Sequence, residues 1–225
     1  MRLNKYLIEG TEFDQSNLDP DMVVKQIKHF CKDYLKLLKG KQPLWRGIYS
    51  ISKIGNKPVR TDRNAKGTSE DAFKFVNKWL SKKGWPRRDR SVICTSNKSW
   101  ADDFGNPRMI FPVEMKGYAW IESRDFNDHS FSDKAVSKGG TPKSWDIGTL
   151  EWMTEYSPDE NRYDRADKYL QDFVHGNKHF DIAYNRQYEM WFDCKRYYYL
   201  SIAAMDGEEQ NQYIRAFKKA GIKVK

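Results

Sequence analysis

The sequence predicts a mixed α+β fold. Amphipathic stretches with helical period alternate with short apolar stretches along the chain, which closes with two strand-like stretches and a helix. Aromatic residues make up 15% of the chain and hydrophobic residues as a whole only 39%, so we expect a core built largely from rings. At 225 residues the chain can bury such a core, and we expect a single domain, 1–225.

The first predicted element is a helix from Pro20 to Lys39. Asp19 can cap this helix, Pro20 suits its first position, and Gly40 offers a left-handed stop. Apolar side chains recur three and four positions apart along it and form one stripe. The lysines that fall mostly away from that stripe are Lys25, Lys28, Lys32, Lys36 and Lys39. They form a solvated face that could also touch phosphates.

The later elements follow from the same patterns. Helices are predicted over 69–83, 97–104, 160–174 and 208–220, and strands over 44–49, 91–95, 109–113, 116–121, 188–192 and 197–202. The segments 52–68 and 124–143 are rich in turn-forming and charged residues, and both are expected to be exposed loops. We expect 1–40 to form an N-terminal helical segment, 41–205 the core, and 206–225 a C-terminal helix.

Charge and hydropathy limit the partners. The chain carries 40 Lys and Arg against 31 Asp and Glu, and the resulting net charge of +9 predicts an anionic partner. The longest weakly polar run, 197–205, is far shorter than the roughly 20 residues that a membrane-spanning helix needs. We therefore expect no membrane partner.

The cysteine and histidine positions predict neither a disulfide framework nor a metal site. Cys31, Cys94 and Cys194 have no close pair, which favours a reducing, cytoplasmic location, as does the absence of a secretion signal in the first ten residues. His175 and His179 stand four apart, but Gly176 interrupts any helix that would align them on one metal ion.

Two candidate binding patches lie at the ends of predicted strands. Arg46, followed by Gly47, is a guanidinium in a strand that otherwise reads as buried, so it must find an anion in the protein or in a ligand. Thr95 and Ser96 offer hydroxyl and backbone N–H donors ahead of a short helix that ends near Phe104. Both patches suit the diphosphate of a dinucleotide, which matches the bidentate geometry of arginine.

A third patch combines Gln187 with Glu189, which lies among aromatic residues. Because strand side chains alternate, Gln187 is expected on the same face of the strand as Glu189, where its amide could position an acceptor. Arg60 and Arg63 lie three apart in the basic loop and could converge on one diphosphate, or meet nucleic acid with Trp85 as a stacking ring, or belong to a basic loop with no specific ligand.

The order of these motifs resembles that of a known family. The motifs are Leu44-Trp45-Arg46-Gly47, Thr95-Ser96, Phe104-Gly105, Phe111-Pro112-Val113 and Gln187-Tyr188-Glu189. This order is similar to that of ADP-ribosyltransferases whose signature is an Arg, then Ser-Thr-Ser, then a Glu with Glu or Gln two positions earlier. The resemblance is closest to small phage-encoded proteins of that fold, which share a closing segment seen here as Glu189, Phe192, Cys194, Tyr197 and Tyr198. It covers about 20–202.

The resemblance implies a fold and an activity. The fold would be a split, mostly antiparallel sheet with a leading amphipathic helix and peripheral helices. The activity would be mono-ADP-ribosyl transfer with NAD as substrate, in the host bacterial cytoplasm if the chain is phage-encoded. The acceptor, whether a host protein, a nucleic acid or water, stays open.

The resemblance also implies residue roles. Glu189 would stabilise the oxocarbenium-like transition state, and Gln187 would position the nucleophile. Arg46 and Gly47 would contact NAD, Thr95 or Ser96 would orient the nicotinamide-side loop, and the other expected NAD contacts are Phe104, Arg60 and Arg63. The chain departs from the signature at Cys94, which replaces the first serine by a thiol, a weaker hydrogen-bond partner. Either Ser96 takes over that role, or NAD binding is weakened, or the fold serves another purpose.

Structural alternatives stand beside each role. Arg46 could pair with a buried carboxylate at Asp102 or Asp103, Ser96 could cap the following helix, and Glu189 could bridge to a surface arginine, Arg186 or Arg196.

Other functions also remain open. The chain could be a catalytically inactive binding or virion-associated protein of the same fold, with a basic surface that contacts nucleic acid. A metal-dependent nuclease built on Asp102 or Asp103 with Glu114 and Lys116 is the remaining alternative. Pro112 argues against it, because it stands within the strand that would have to be central.

Overall fold

The structure is a computed structural model that describes residues 19–63, 70–123 and 162–224. These residues form an α+β fold with two antiparallel four-stranded sheets and several helices, which confirms the predicted class. The predicted loop 124–143 lies outside the described residues, as does the beginning of the helix predicted over 160–174.

The chain divides into two compact units. The first comprises Met1–Val59, Cys94–Lys116 and Phe192–Lys225, and the second comprises Arg60–Ile93 and Gly117–Trp191. The expectation of a single domain stays a prediction.

The first unit contains the sheet β1-β4-β8-β2. Its elements are α1 (Pro20–Phe30), α2 (Lys32–Leu38), β1 (Trp45–Gly47), β2 (Ile54–Pro58), α4 (Lys98–Asp102), β4 (Pro107–Val113), β8 (Arg196–Leu200), a 3-10 turn (Ile202–Ala204) and α7 (Gly207–Lys219). As predicted, Asp19 caps α1 through its side chain and Pro20 opens the helix. The single helix predicted over 20–39 is interrupted at Cys31, whose backbone leaves the helical region (φ −111°, ψ 23°).

The second unit contains most of the sheet β3-β7-β5-β6. Its elements are α3 (Glu70–Lys82), a 3-10 turn (Arg88–Arg90), β3 (Val92–Cys94), β5 (Gly117–Ile121), α5 (Arg162–Phe173), β6 (Val174–Gly176), α6 (Phe180–Arg186) and β7 (Met190–Asp193). The last residues of β3 and β7 belong to the first unit.

The prediction of a loop over 52–68 is wrong for its first part, where β2 forms. This strand pairs with β8 at the sheet edge, and Pro58 is its last residue, where a missing N–H costs least. Gly55 is needed there because the ring of Tyr199 lies directly over its backbone. β6 and α6 were also not predicted. Both are short, and helical period is not visible over seven residues.

Pro112 does stand in an inner strand, β4, which the sequence analysis disfavoured. β1 pairs only with residues 107–109 of β4, so the β4 segment around Pro112 has β8 alone as its partner. The missing N–H therefore interrupts no ladder on the β1 side.

Both units have aromatic cores, as the composition predicts. In the first, Tyr34 packs edge-on against Phe111 and Phe192, and Phe111 stacks on Phe217 with ring centroids 5.9 Å apart. In the second, α3 and α5 pack against β5 and β7 through a cluster of Val76, Trp79, Leu80, Ala119, Ile121, Ala166, Leu170, Val174 and Trp191. None of the described helices combines the length and apolarity needed to span a membrane.

We predict that the protein loses stability as the pH rises above about 9. Burial raises the pKa of the Cys194 thiol and of the Tyr198 hydroxyl to about 12, and it holds the pKa of Cys31 well above its usual range. In the unfolded chain these groups ionise near pH 9 to 10, so ionisation favours unfolding from about pH 9 until the folded-state pKa is reached. Between its unfolded-state pKa and its folded-state pKa, each group lowers the free energy of unfolding by about 1.4 kcal/mol per pH unit.

Urea unfolding under reducing conditions, measured at successive pH values between about 8 and 11, checks this prediction. A Cys194→Ala variant should show a shallower decline than the wild type. A free energy of unfolding that stays constant over this range would contradict it.

Candidate functional site

Two of the predicted patches meet at one corner of the first unit. The backbones of Trp45 and Thr95 exchange two hydrogen bonds, with N···O distances of 2.7 and 3.0 Å, so β1 lies beside the end of β3. Gly47 then packs against the end of α4. A Cβ at Gly47 would collide with the carbonyl oxygen of Ala101 and lie 2.7 Å from the nitrogen of Gly105. The sequence therefore places glycine where two backbones must touch.

The donors ahead of α4 are largely used within the protein. Asn97, not Ser96, caps α4, because its side chain accepts a hydrogen bond of 3.2 Å from the Trp100 N–H. The alternative role of Ser96 as the helix cap is therefore wrong. The Thr95 hydroxyl accepts from the Asn97 N–H at 3.2 Å. Phe104 follows α4 with 52% of its surface exposed.

Arg46 is half-buried on β1, directly opposite Arg108 on β4. Asp102 and Asp103 are both exposed, so neither supplies the buried carboxylate considered for Arg46. The Lys98 ammonium lies 5.3 Å from the ring centroid of Trp45, the residue before Arg46 on β1.

Glu189 lies in the second unit and is buried in an ion pair. Only 6% of its surface is exposed, and Arg88 Nε donates to its Oε1 at 2.9 Å while Arg88 Nη2 donates to its Oε2 at 3.3 Å. The indole N–H of Trp191 also donates to Oε1. The ion pair considered at the surface with Arg186 or Arg196 is replaced by this buried one with Arg88.

Arg88 was not predicted as a site residue. It lies 101 positions from Glu189 in sequence and in a 3-10 turn that has no periodic pattern. The available signal was general, since a glutamate among aromatic residues requires a cation when it is buried.

Trp85, considered as a stacking ring for nucleic acid, instead packs within its unit against Trp79, with centroids 5.5 Å apart.

Gln187 does not share a strand face with Glu189, and that expectation was wrong. Gln187 ends α6 in the left-handed conformation (φ 61°), and β7 begins only at Met190. Side-chain alternation therefore does not apply between the two positions.

Arg60 is exposed and pairs with Asp62 at 3.3 Å. Arg60 and Arg63 belong to the second unit, whereas Arg46 belongs to the first.

An aromatic group that the sequence analysis did not identify lies close to Glu189 within the second unit. Trp120 stacks on Tyr188, with centroids 5.8 Å apart, and contacts the His175 ring at 4.2 Å. His175 Nε2 lies 2.9 Å from a carboxylate oxygen of Glu122. Backbone hydrogen bonds join Glu189, just before β7, to Ile121 at the end of β5 and to Ser123 just beyond it, so this group lies near the Arg88–Glu189 pair. Within the described residues, no group of three or more His, Cys, Asp or Glu side chains could hold a metal ion.

No known protein family, curated protein or solved structure matches this chain.

We predict that breaking the Arg88–Glu189 pair destabilises the protein. Arg88→Met leaves a buried carboxylate without its cation, and the free energy of unfolding should fall by about 3–5 kcal/mol. Replacing both residues by methionine should recover most of the loss, because no unpaired charge then remains. Urea unfolding of the single and double variants measures both effects.

Arg90→Met is the matched control for this experiment. Arg90 is half-exposed and lies 3.6 Å from Asp89, so its loss should cost less than about 1 kcal/mol. Equal effects of Arg88→Met and Arg90→Met would contradict the assignment of the buried pair.

Proposed function

We propose that this protein is an ADP-ribosyltransferase-like protein that uses NAD, with Glu189 as its catalytic carboxylate and Arg46 as a ligand of the NAD phosphates. The observation that carries the proposal is the buried carboxylate of Glu189, held by Arg88 and Trp191 just before β7. This carboxylate is the one that the resemblance singles out. The architecture supports the proposal only as far as the α+β class and its two antiparallel sheets.

The proposed chemistry breaks the bond between the ribose anomeric carbon and the nicotinamide nitrogen. The bonding electrons leave with nicotinamide, and positive charge develops on the anomeric carbon. A fixed carboxylate stabilises that charge, and it does so most strongly where water is excluded and no reorganisation is needed. The acceptor oxygen or nitrogen then bonds to the anomeric carbon and loses its proton to solvent.

The surroundings of Glu189 suit this role in two respects. Arg88 keeps the carboxylate ionised despite its burial, because an adjacent cation favours the charged form. Arg88 and Trp191 also fix the orientation of both carboxylate oxygens, which is the preorganisation that electrostatic catalysis requires.

Arg46 and Gly47 support the phosphate-binding part of the proposal. Arg46 is half-buried on an edge strand, and the absence of a side chain at Gly47 lets the α4 backbone approach this strand closely. Guanidinium groups bind phosphate in a bidentate manner.

We predict that the wild-type protein releases nicotinamide from NAD and that Glu189→Gln lowers the rate about 10²- to 10³-fold. Glu189→Gln also removes the carboxylate charge that pairs with Arg88, so the double variant Glu189→Gln/Arg88→Met is assayed beside it, with the folded fraction of each variant followed by circular dichroism. Both variants should be inactive. Nicotinamide release is measured in buffer and with a bacterial extract that supplies protein and nucleic-acid acceptors.

Glu122→Gln is the matched carboxylate control. Glu122 lies near Glu189 but is partly exposed and faces His175, so its neutralisation should leave nicotinamide release unchanged. A folded Glu189→Gln protein with the wild-type rate, or a wild type with no release under either condition, would count against the proposed activity.

A second candidate function, nucleic-acid binding without catalysis, is favoured by basic grooves within each unit. In the first unit, α1 and α7 enclose about 540 Å³ lined by Lys25, Lys28, His29 and Lys219, and Asp21 is the one acidic residue of its described lining. In the second unit, α3 borders about 430 Å³ lined by Lys74, Lys78, Lys82 and Arg87, and Asp89, which pairs with Arg87, is the acidic residue of its described lining. Rows of ammonium groups on helices attract a phosphate backbone.

If this second function holds, single-stranded DNA should bind with strong salt dependence. The logarithm of the affinity should fall by about 0.7 per phosphate contact for each tenfold rise in salt. Lys25→Gln/Lys28→Gln should reduce that slope, whereas Lys195→Gln/Lys223→Gln, which removes two exposed lysines of the same unit outside the groove, should not. Fluorescence anisotropy over a salt series measures the slope, and a salt-independent affinity would exclude this function.

A further inference from the structure

Arg108 on β4 is a buried cation with no carboxylate partner among the described residues. Only 6% of its surface is exposed. Within the part of the chain that the structure describes, its guanidinium makes one hydrogen bond, from Nη2 to the Ser50 carbonyl at 3.1 Å, and its buried Nε has no hydrogen-bond partner. Burial lowers the pKa of Arg108, as expected for a cation removed from water without a counter-charge.

Such an arrangement is unfavourable in the protein alone. Burying an uncompensated charge costs far more than burying an apolar side chain, and an arginine has five N–H donors to satisfy. An apolar residue of similar size would fill the same space without that cost. A guanidinium at this position therefore points to an anion that the described residues do not supply.

The sheet register brings a second guanidinium to the same place. Arg46 lies directly opposite Arg108 in the antiparallel pair β1–β4. Directly opposite residues project to the same face of a sheet, with Cβ atoms about 5 Å apart. Like charges in that position repel, and a shared anion removes the repulsion.

The same sheet face carries further groups suited to phosphate. Tyr199 pairs with Ile110, two residues beyond Arg108, and therefore projects to the Arg108 side. Its hydroxyl lies 3.3 Å from the Ser50 hydroxyl. The Lys57 ammonium lies 5.6 Å from the centroid of the Tyr199 ring. The opposite face holds Phe111, which packs on Tyr34 and Phe217.

We propose that Arg108 and Arg46 together bind one diphosphate group, with Arg108 as the buried residue of the pair. Two planar guanidinium groups on adjacent strands can each donate paired N–H bonds to phosphoryl oxygens. The identity of the ligand as NAD rests on the proposed function, whereas the anion site rests on the strand register and on the unpaired donor of Arg108.

Inorganic pyrophosphate is the probe that separates the anion site from the NAD chemistry. Its affinity is measured by calorimetry, and thermal unfolding is followed with and without it for the wild type, Arg108→Met, Arg46→Met and Lys32→Met. Lys32 is the matched control, because it is exposed on α2 in the same unit and its replacement also removes one positive charge.

Pyrophosphate should bind and stabilise the wild type and Lys32→Met alike. Arg108→Met and Arg46→Met should each weaken its binding at least tenfold, which corresponds to about 1.4 kcal/mol. Without pyrophosphate, Arg108→Met should unfold at the wild-type temperature or higher, because it removes a buried unpaired charge. A purely structural role for Arg108 predicts the opposite pair of results, a lower unfolding temperature and unchanged affinity.

Failure of the site and failure of the proposed activity give different results. A wild type that does not bind pyrophosphate, or an Arg108→Met protein that binds it as the wild type does, overturns the diphosphate site even if NAD is cleaved. Pyrophosphate binding that depends on Arg108 supports the site even if no nicotinamide is released, and in that case only the proposed activity fails.

Discussion

The burial of an arginine in each unit is the constraint on which the proposed catalytic carboxylate and the proposed diphosphate site depend. In the second unit, Arg88 is satisfied by the carboxylate of Glu189, and Trp191 adds a third donor to the same group. The charge is thereby compensated inside the protein. Arg88 and Trp191 also fix the orientation of the carboxylate, which is the preorganisation that the proposed chemistry requires.

Much of the fold follows from local patterns in the sequence. Helical period over thirteen or more residues predicts α3 and α7 closely, and the capping residues Asp19 and Pro20 predict the start of α1. The errors occur where distant contacts decide the structure. β2 is rich in Gly, Asn and Pro, and it is a strand because β8 supplies its hydrogen-bond partners and the Tyr199 ring covers Gly55. Tertiary pairing thus overrides weak local propensity.

The candidate site was predictable in its residue types but not in its pairings. Arg46, Thr95 and Glu189 attract attention in the sequence because each places a polar group in an apolar segment. Their partners are not local. Thr95 meets Trp45 across fifty residues, and Glu189 meets Arg88 across about one hundred. For Gln187 the error is local. The prediction assumed strand alternation between Gln187 and Glu189, but Gln187 is the left-handed residue that ends a helix.

Arg88 and Arg108 differ in the one respect that separates stabilisation from binding. Both guanidinium groups are more than nine-tenths buried, but Arg88 has a bidentate carboxylate, whereas Arg108 has a single carbonyl and, across the strand pair, another arginine. A cation that is already neutralised gains little from an added anion, because its donors are used and its charge is balanced. A buried arginine with an unused donor gains more, since its desolvation has already occurred on folding. The arrangement of Arg108 lowers the stability of the protein without a ligand and raises its affinity for an anionic ligand. Both effects are expected of a preorganised binding site.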